Sequence, residues 1–406
     1  MNLIASLQAD SATVTAFRRD IHAHPELCFE ERRTADLVAS GLEALGIEVH
    51  RGLGTTGVVG VIHGDLKPAG KGRSIGFRAD MDALPIQEAN TFAHASTYPG
   101  KMHGCGHDGH TAMLMGAARH LAAHRNFAGT VYLIFQPAEE GGGGAREMIK
   151  DGLFERFEMD AVFAIHNWPG MPAGTVGVSP GAVMASSNEF YITLKGKGAH
   201  AAMPHLGADP VPVACQLVQA FQTIVSRNLN PNDPAVISVT QINAGETTNV
   251  IPNTCRLAGT VRTFSNDVLD DIQARMQQLS EQISEGFGLD VDFSFVRNYP
   301  PTINDAGASA FVQKALQGLL SPEQIVPQVP TMGAEDFSYM LQAKPGAYLF
   351  LGNGEGDHRS LGHGAGPCTL HNPSYDFNDA LLPVGAAIWV TLVHQWMAQD
   401  HQADPS

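Results

Sequence analysis

The chain has 406 residues, more than one hydrophobic core usually serves, so two domains are expected from length alone. Hydrophobic residues make up 44% and charged residues 16%, the balance of a globular protein and not of a disordered or fibrous one. A formal net charge of -16 gives a surface that repels phosphate backbones and anionic lipid heads and attracts divalent cations, which disfavours nucleic-acid and membrane partners.

The opening MNLIASLQADSATVTAFRRD has no basic leader before a long apolar run, and no later stretch reads as apolar for long enough to cross a bilayer, so a cytoplasmic location is expected. Apolar positions recur at helical spacing from Ser11 to about Gly46, broken at His24-Pro25, before turn-rich sequence. VVGVIH and SIGFRAD then read as strands, HTAMLMGAARHLAAH as a helix, VYLIF as a doubly covered parallel strand, AREMIKDGLF as a helix and AVFAIH as a strand. This alternation predicts an α/β domain with a mainly parallel sheet and helices on both faces. After the loop GMPAGTVGVSPGAVMASS the order changes to strand NEFYITLKG, a helix over GADPVPVACQLVQAFQTIVSRN, strands AVISVTQINAG and CRLAGTVRTF, helix DVLDDIQARMQQLSEQISEGF and strand DVDFSFVRN. That order is the ferredoxin-like βαββαβ unit. Signals of the first kind return in SAFVQKALQGLL, AYLFLG and DALLPVGAAIWVTLVHQWM. The expected organisation is a catalytic domain over 1–183 and 294–406, interrupted by an inserted small domain over 184–293.

Five cysteines, Cys28, Cys105, Cys215, Cys255 and Cys368, are scattered without a CxxC pair, which suggests neither a disulfide framework nor a redox motif. Cys105 alone has unusual neighbours. MHGCGHDGH, residues 102–110, packs three histidines, a cysteine and an aspartate just before a helix. Chance clustering is the bland alternative in a chain with 18 histidines. Against it, Cys105-Gly-His107 lets a thiolate and an imidazole converge, and the flanking glycines leave room for a metal. FQPAEEGGGGA begins where VYLIF ends, at the carboxyl end of a strand, where ligands of open α/β sheets sit. There Glu139 and Glu140 can divide two tasks, one holding a metal and one facing its water, the division that hydrolysis needs. A solvated turn is the competing reading. His166 closes AVFAIH at another carboxyl end and His371 lies in CTLHNPSYDF. Cys105, His107, Glu140, His166 and His371 are too many ligands for one tetrahedral catalytic ion, and two ions bridged by one ligand would use them all.

Taken in order, FRRDIHAHPEL, RADMDALPI, MHGCGHDGH, FQPAEEGGGGA, FAIHNWP, GKGAHAAMPH, TTNVIPN, GTVRTF, MGAEDF and LHNPSYDFND closely resemble the amidohydrolase family of hippurate hydrolases, auxin-conjugate (IAA-amino acid) hydrolases and N-acyl-amino-acid deacylases. These are relatives of aminoacylase and of the dinuclear carboxypeptidases. The resemblance runs from about Phe17 to Asp379 and implies a dinuclear zinc-peptidase-like catalytic domain with an inserted lid and dimerisation domain. It further implies that Cys105 bridges two divalent ions (Zn, Mn, Co or Ni), with His107 and His371 on one and Glu140 and His166 on the other. By the same resemblance Glu139 is general base and then acid, and His200 stabilises the oxyanion, in many relatives from the partner subunit. Asn249 and Arg262 would hold the substrate carboxylate, work that suits an arginine fork. The bland readings are a loop histidine and a solvated strand arginine. Asp80 and Asp82 stand where carboxypeptidase relatives have His-x-Asp; Asp80 is therefore not assigned as a ligand, and Asp82 either orients a ligand or serves the strand end.

The expected activity is hydrolysis of the amide bond of small N-acyl amino acids, hippurate-like or N-acetylated, by a homo-oligomer, a dimer or tetramer. The alternatives are a dipeptidase or carboxypeptidase, an N-acetyl-diaminopimelate-type deacetylase, or a non-enzymatic metal- or peptide-holding protein. Glu139 argues against the last, because storage needs no spare base beside a ligand.

Overall fold

A computed structural model describes residues 3–67 and 72–399, which form two compact units: Met1–Gly181 with Ile303–Val329 and Tyr339–Ser406, and Ala182–Thr302 with Pro330–Ser338. In the first, an eight-stranded sheet has Gly129–Gln136, Arg73–Asp80, Ala161–Pro169 and Gly346–Gly354 side by side and parallel at its centre. Glu48–Leu53 and Gly57–His63 add an antiparallel margin. Central strands are buried at successive residues, as a sheet covered on both faces requires: Ala161–Pro169 is buried along its first seven positions. One parity, including Phe77, Leu133, Phe163 and Leu349, joins the core beneath helices His107–Ala123 and Leu382–Met397. On the other parity Gly57 and Gly76 lie against Met148 and Met159.

Sequence periodicity misjudged two features. The stretch Asp379–Met397 is, after all, long and apolar enough to cross a bilayer, yet 67% of it is buried within the protein. Its uniform apolarity comes from core packing, with Trp389 against Phe77 at 4.6 Å between ring centroids. The helix of the metal-like motif also starts earlier than its apolar pattern, at His107, because Gly106 adopts a left-handed φ of +93° and turns the chain into it.

The second unit carries Ser187–Lys195, Pro210–Thr223, Ala235–Ala244, Thr254–Thr263, Asn266–Gly286 and Asp290–Tyr299, in the expected βαββαβ order. Its antiparallel sheet places Ser187–Lys195 between Thr254–Thr263 and Asp290–Tyr299. Here one face is buried and one is open, so burial alternates: Phe190, Ile192 and Leu194 pack with Leu217, Phe221 and Ile272, while Tyr191 and Lys195 are exposed. The last strand belongs wholly to this unit and runs past Phe293 to Tyr299 because it pairs along the full length of Ser187–Lys195.

In the first unit a Cβ added at Gly109 would meet the Phe377 ring at 2.3 Å. Gly109→Ala should therefore lower stability by about 1–3 kcal/mol, the usual cost of overpacking, read as an earlier midpoint in urea denaturation; an unchanged midpoint would contradict this packing.

Candidate active site

The carboxyl ends of three adjacent parallel strands deliver the chemistry. Arg73–Asp80 leads to Asp80 and Asp82, Gly129–Gln136 to Glu139 and Glu140, and Ala161–Pro169 carries His166. Cys105 and His107 arrive on the turn into their helix, and His371 on a loop where its own φ is +60° and its N–H donates to the Gly104 carbonyl at 2.8 Å.

Cys105 Sγ lies 3.3 Å from His166 Nε2, close to the roughly 3.5 Å that a thiolate and an imidazole sharing one tetrahedral zinc would keep. His371 Nε2 lies 3.2 Å from Glu140 Oε1, and His107 Nε2 3.9 Å from the same oxygen. Three of the potential ligand groups, each within 4.8 Å, are made of these residues alone: Cys105, His107 and His166; Cys105, Glu140 and His371; and His107, Glu139 and Glu140. Cys105 is common to the first two, the position a bridging ligand must hold. The partners differ from the pairing that the resemblance implied, since His107 goes with His166 and Glu140 with His371. The reason is local: His166 emerges from its strand directly against Cys105, whereas the left-handed backbone at His371 turns its ring onto Glu140.

The donor set fits divalent cations. His107 Nδ1 donates to the Asp82 carbonyl at 2.9 Å and His166 Nδ1 to the Asn167 carbonyl at 2.6 Å, so each ring in its neutral form presents an Nε2 lone pair inward, the tautomer that metal ligands take. His107 Nε2 and Glu140 Oε1 are buried without a hydrogen-bond partner, a costly condition that a cation relieves. Electrostatics agree. Burial, then Glu140, Glu139 and Asp80, push the Cys105 thiol well above its usual range. Burial opposes protonation of His107, but Asp80, Asp82 and Glu140 outweigh it and lift that group to about 10. Burial and neighbouring His110 hold His166 well below the ordinary imidazole value. So many anionic donors around so few cations is the imbalance that bound metal corrects.

Asp82 accepts from the backbone N–H groups of Glu139 at 3.0 Å and Glu140 at 2.9 Å. Asp80, Glu31 and Cys28 also surround this corner without having been singled out as site residues. Asp80, His107 and His110 form another potential ligand group, but Asp80 is committed to Arg78 at 2.6 Å and to His110 Nδ1 at 2.6 Å. His110 Nε2 already accepts from Asn167 N–H. His103 is buried with both ring nitrogens unpartnered, and burial drives it down to about 4. Its neutral ring lies outside every potential ligand group among the described residues.

In the second unit His200 lies on Ala199–His200, opposite Val250, and Ala201 N–H donates to the Asn249 carbonyl at 3.0 Å, so His200 and Asn249 sit side by side. Arg262 does not join them. It stands near the far end of Thr254–Thr263, eight residues from Thr254 and hence roughly 26 Å along the strand at about 3.3 Å each. Burial lowers its pKa, and Glu189, the neighbouring acid, opposes that shift.

Beneath the ligand turn, Arg18 pairs with Asp108 at 2.7 Å, with Asp376 and with Asp379 at 3.3 Å. His22 bridges Asp108 at 2.9 Å and Glu88 at 3.2 Å. Burial disfavours the His22 cation, but Asp108 and Glu88 outweigh burial and nearby Arg18 and raise it to about 9. The folded value exceeds the unfolded one, near 6.5, so the stabilisation is complete below pH 6.5 and fades as pH rises towards 9. The span corresponds to on the order of 3 kcal/mol. Thermal melts of the metal-loaded protein should fall across that window, and His22→Gln should shrink the fall; an identical pH profile in the variant would refute the assignment.

The family model described as peptidase family M20/M25/M40 matches residues 76–395. N-acetyl-L-cysteine deacetylase of Bacillus subtilis is 42% identical over 342 residues, 84% of this chain and 80% of that one. Hippurate hydrolase of Campylobacter jejuni is 38% identical over 398 residues, 98% of this chain and 100% of that one. A Bacillus subtilis structure described as a dinuclear metal-binding peptidase from the M20 family superposes with a TM-score of 0.81 at 33% identity, covering 95% of this chain and 98% of its own.

Proposed function

Because this chain belongs to peptidase family M20/M25/M40, we propose that it is a dinuclear metal-dependent amidohydrolase that cleaves N-acyl amino acids to a carboxylic acid and a free amino acid. The observation that carries the reading is Glu139, a buried carboxylate beside a donor set in which His107 Nε2 and Glu140 Oε1 lack hydrogen-bond partners. Relatives named hippurate hydrolase and N-acetyl-L-cysteine deacetylase support small N-acyl substrates.

Cys105, His107, Glu140, His166 and His371 would hold two divalent ions, which when bound supply Lewis acidity and make water acidic enough to ionise near neutral pH. Glu139 takes the proton from the attacking water as its oxygen bonds to the amide carbon. It then delivers that proton to the nitrogen as the C–N bond breaks. Asp82 keeps Glu139 aimed by fixing its backbone. The imidazole of His200 donates to the developing oxyanion. Its Nδ1 accepts from Ala202 N–H at 3.0 Å, which leaves Nε2 carrying the proton that this role needs.

The second unit supports a homo-oligomer. His200 and Asn249 lie at one end of Thr254–Thr263 and Arg262 at the other, too far apart to touch one small substrate within one copy. An arginine from one subunit with His200 and Asn249 from the partner would meet that need. Five free cysteines suit a reducing, cytoplasmic location. The peptidase description of the Bacillus subtilis structure makes dipeptide cleavage the second reading.

With added Mn, Zn, Co or Ni the protein should hydrolyse hippurate and N-acetyl amino acids faster than the matching dipeptides. Glu139→Gln should retain two ions per chain while kcat falls by at least about a hundredfold, the contribution of a general base; near-normal turnover, or a preference for dipeptides, defeats the respective assignment. Mixing inactive His200→Ala with inactive Glu139→Gln should restore part of the activity, since a hybrid dimer pairs an intact Glu139 with an intact His200 across the interface. No recovery in verified hybrids would place His200 in the same subunit or outside the reaction.

A further inference from the structure

Behind the ligands lies a file of buried polar side chains that the reaction does not use. Arg78 donates to Asp80 Oδ2 at 2.6 Å, and His110 Nδ1 donates to Asp80 Oδ1 at 2.6 Å. Asn167 N–H donates to His110 Nε2 at 2.9 Å, and Tyr375 donates its hydroxyl proton to Asn167 Oδ1. Asn167 Nδ2 reaches the Cys105 carbonyl at 2.7 Å and His110 Nε2 at 3.0 Å. Asp80, Asn167 and Tyr375 are fully buried and His110 is 2% exposed.

The polarity of this file has one solution. His110 accepts at Nε2, so its proton is on Nδ1 and points at Asp80. Rotating the Asn167 amide would set its oxygen against the Cys105 carbonyl and the His110 lone pair, and its NH2 against the Tyr375 hydroxyl. Asn167 thereby holds Cys105 and His166, two of the proposed ligands, from behind. Its side-chain amide grips the Cys105 carbonyl, and its backbone carbonyl accepts from His166 Nδ1 at 2.6 Å. Gly106 completes the fit: a Cβ there would lie 2.3 Å from Asn167 Nδ2 and 2.5 Å from the Tyr375 hydroxyl.

We propose that Asn167 is the positioning residue of the metal centre, setting the separation of the Cys105 thiolate and the His166 imidazole before an ion arrives, with Tyr375, His110 and Asp80 locking its amide. The inference rests on the reading of Cys105 and His166 as ligands. A preset pair needs no reorganisation on binding, so loss of Asn167 must appear in ion affinity and in thiolate–metal geometry, not only in stability.

The test uses cobalt(II), whose bond to a thiolate gives a near-ultraviolet charge-transfer absorption, with affinity measured against a chromophoric chelator. Asn167→Leu keeps the branched outline and removes both polar groups of the side chain; Tyr375→Phe removes only the bond that fixes the amide. Affinity should fall about 10- to 100-fold in Asn167→Leu and less in Tyr375→Phe, with the absorption shifted or weakened in the same order. If both metal-free variants melt earlier while cobalt affinity and absorption match the wild type, the residue is merely structural and the proposal is overturned. Should Asn167→Leu fail to fold, a Tyr375→Phe protein with wild-type affinity and absorption overturns it equally. A wild type that binds cobalt without that absorption overturns the ligand reading of Cys105, and this inference with it.

Discussion

Both oxygens of Asp82 accept hydrogen bonds from consecutive peptide groups, Glu139 N–H and Glu140 N–H, while the ring of His107 bonds the Asp82 carbonyl. Two adjacent N–H groups can face one anion only if the chain turns sharply, and Ala138 supplies the turn with a φ of +53°. Glu140 reaches His371 at 3.2 Å, and Glu139 and Glu140 together come within ligand distance of His107. Burial alone would raise the Asp82 pKa, but His107 and the two N–H groups hold it below the ordinary carboxylate value. The separation of base from ligand thus depends on one carboxylate staying ionised in a dry corner.

Two buried charge clusters sit within a few residues of each other and differ in kind. Around Arg18, three aspartates meet one guanidinium and His22, opposite charges in contact. That arrangement needs no visitor. Around Cys105, a thiol and carboxylates crowd histidines whose inward nitrogens face other donors. Breaking the first cluster strands a charge and destabilises the fold; the second is unbalanced as it stands and is relieved by cations. The balance of charge, not the number of titratable groups, separates a centre for chemistry from a strut.

Five of the six residues gathered in the inner site were legible because each lies in a short segment at a strand end or helix start, where spacing along the chain still reflects position in space; His371 stands on a loop and was legible only through its motif. Their grouping was not. Whether His107 goes with His166 or His371 depends on strand order and on a left-handed loop residue, properties that no local pattern encodes. Asn167 and Tyr375 lay inside motifs already read, FAIHNWP and LHNPSYDFND, yet their meaning is a contact across 208 positions. Arg262 was legible as a strand residue, but its remoteness from Asn249 follows from the strand's length. The apolar run near the C-terminus was expected to be too short to cross a bilayer, yet its length and composition suffice, and hydropathy does not distinguish a core helix from a membrane-spanning one.

Parallel strands make this economy of position available. Neighbouring strands lie about 4.8 Å apart, and three of them end side by side at Asp80, Gln136 and the segment of His166. Residues just beyond those ends are brought within ligand distance without any long side chain having to reach. The helix beginning at His107 points its amino end at the same place, where its partial positive charge favours an ionised thiolate at Cys105 over a neutral thiol. Side-chain burial pushes that thiol the other way, and a helix terminus offsets only a fraction of such a cost. The remaining shift has to come from full charges placed against sulfur, which suits Cys105, common to two potential ligand groups, to cations more than to a nucleophilic role of its own.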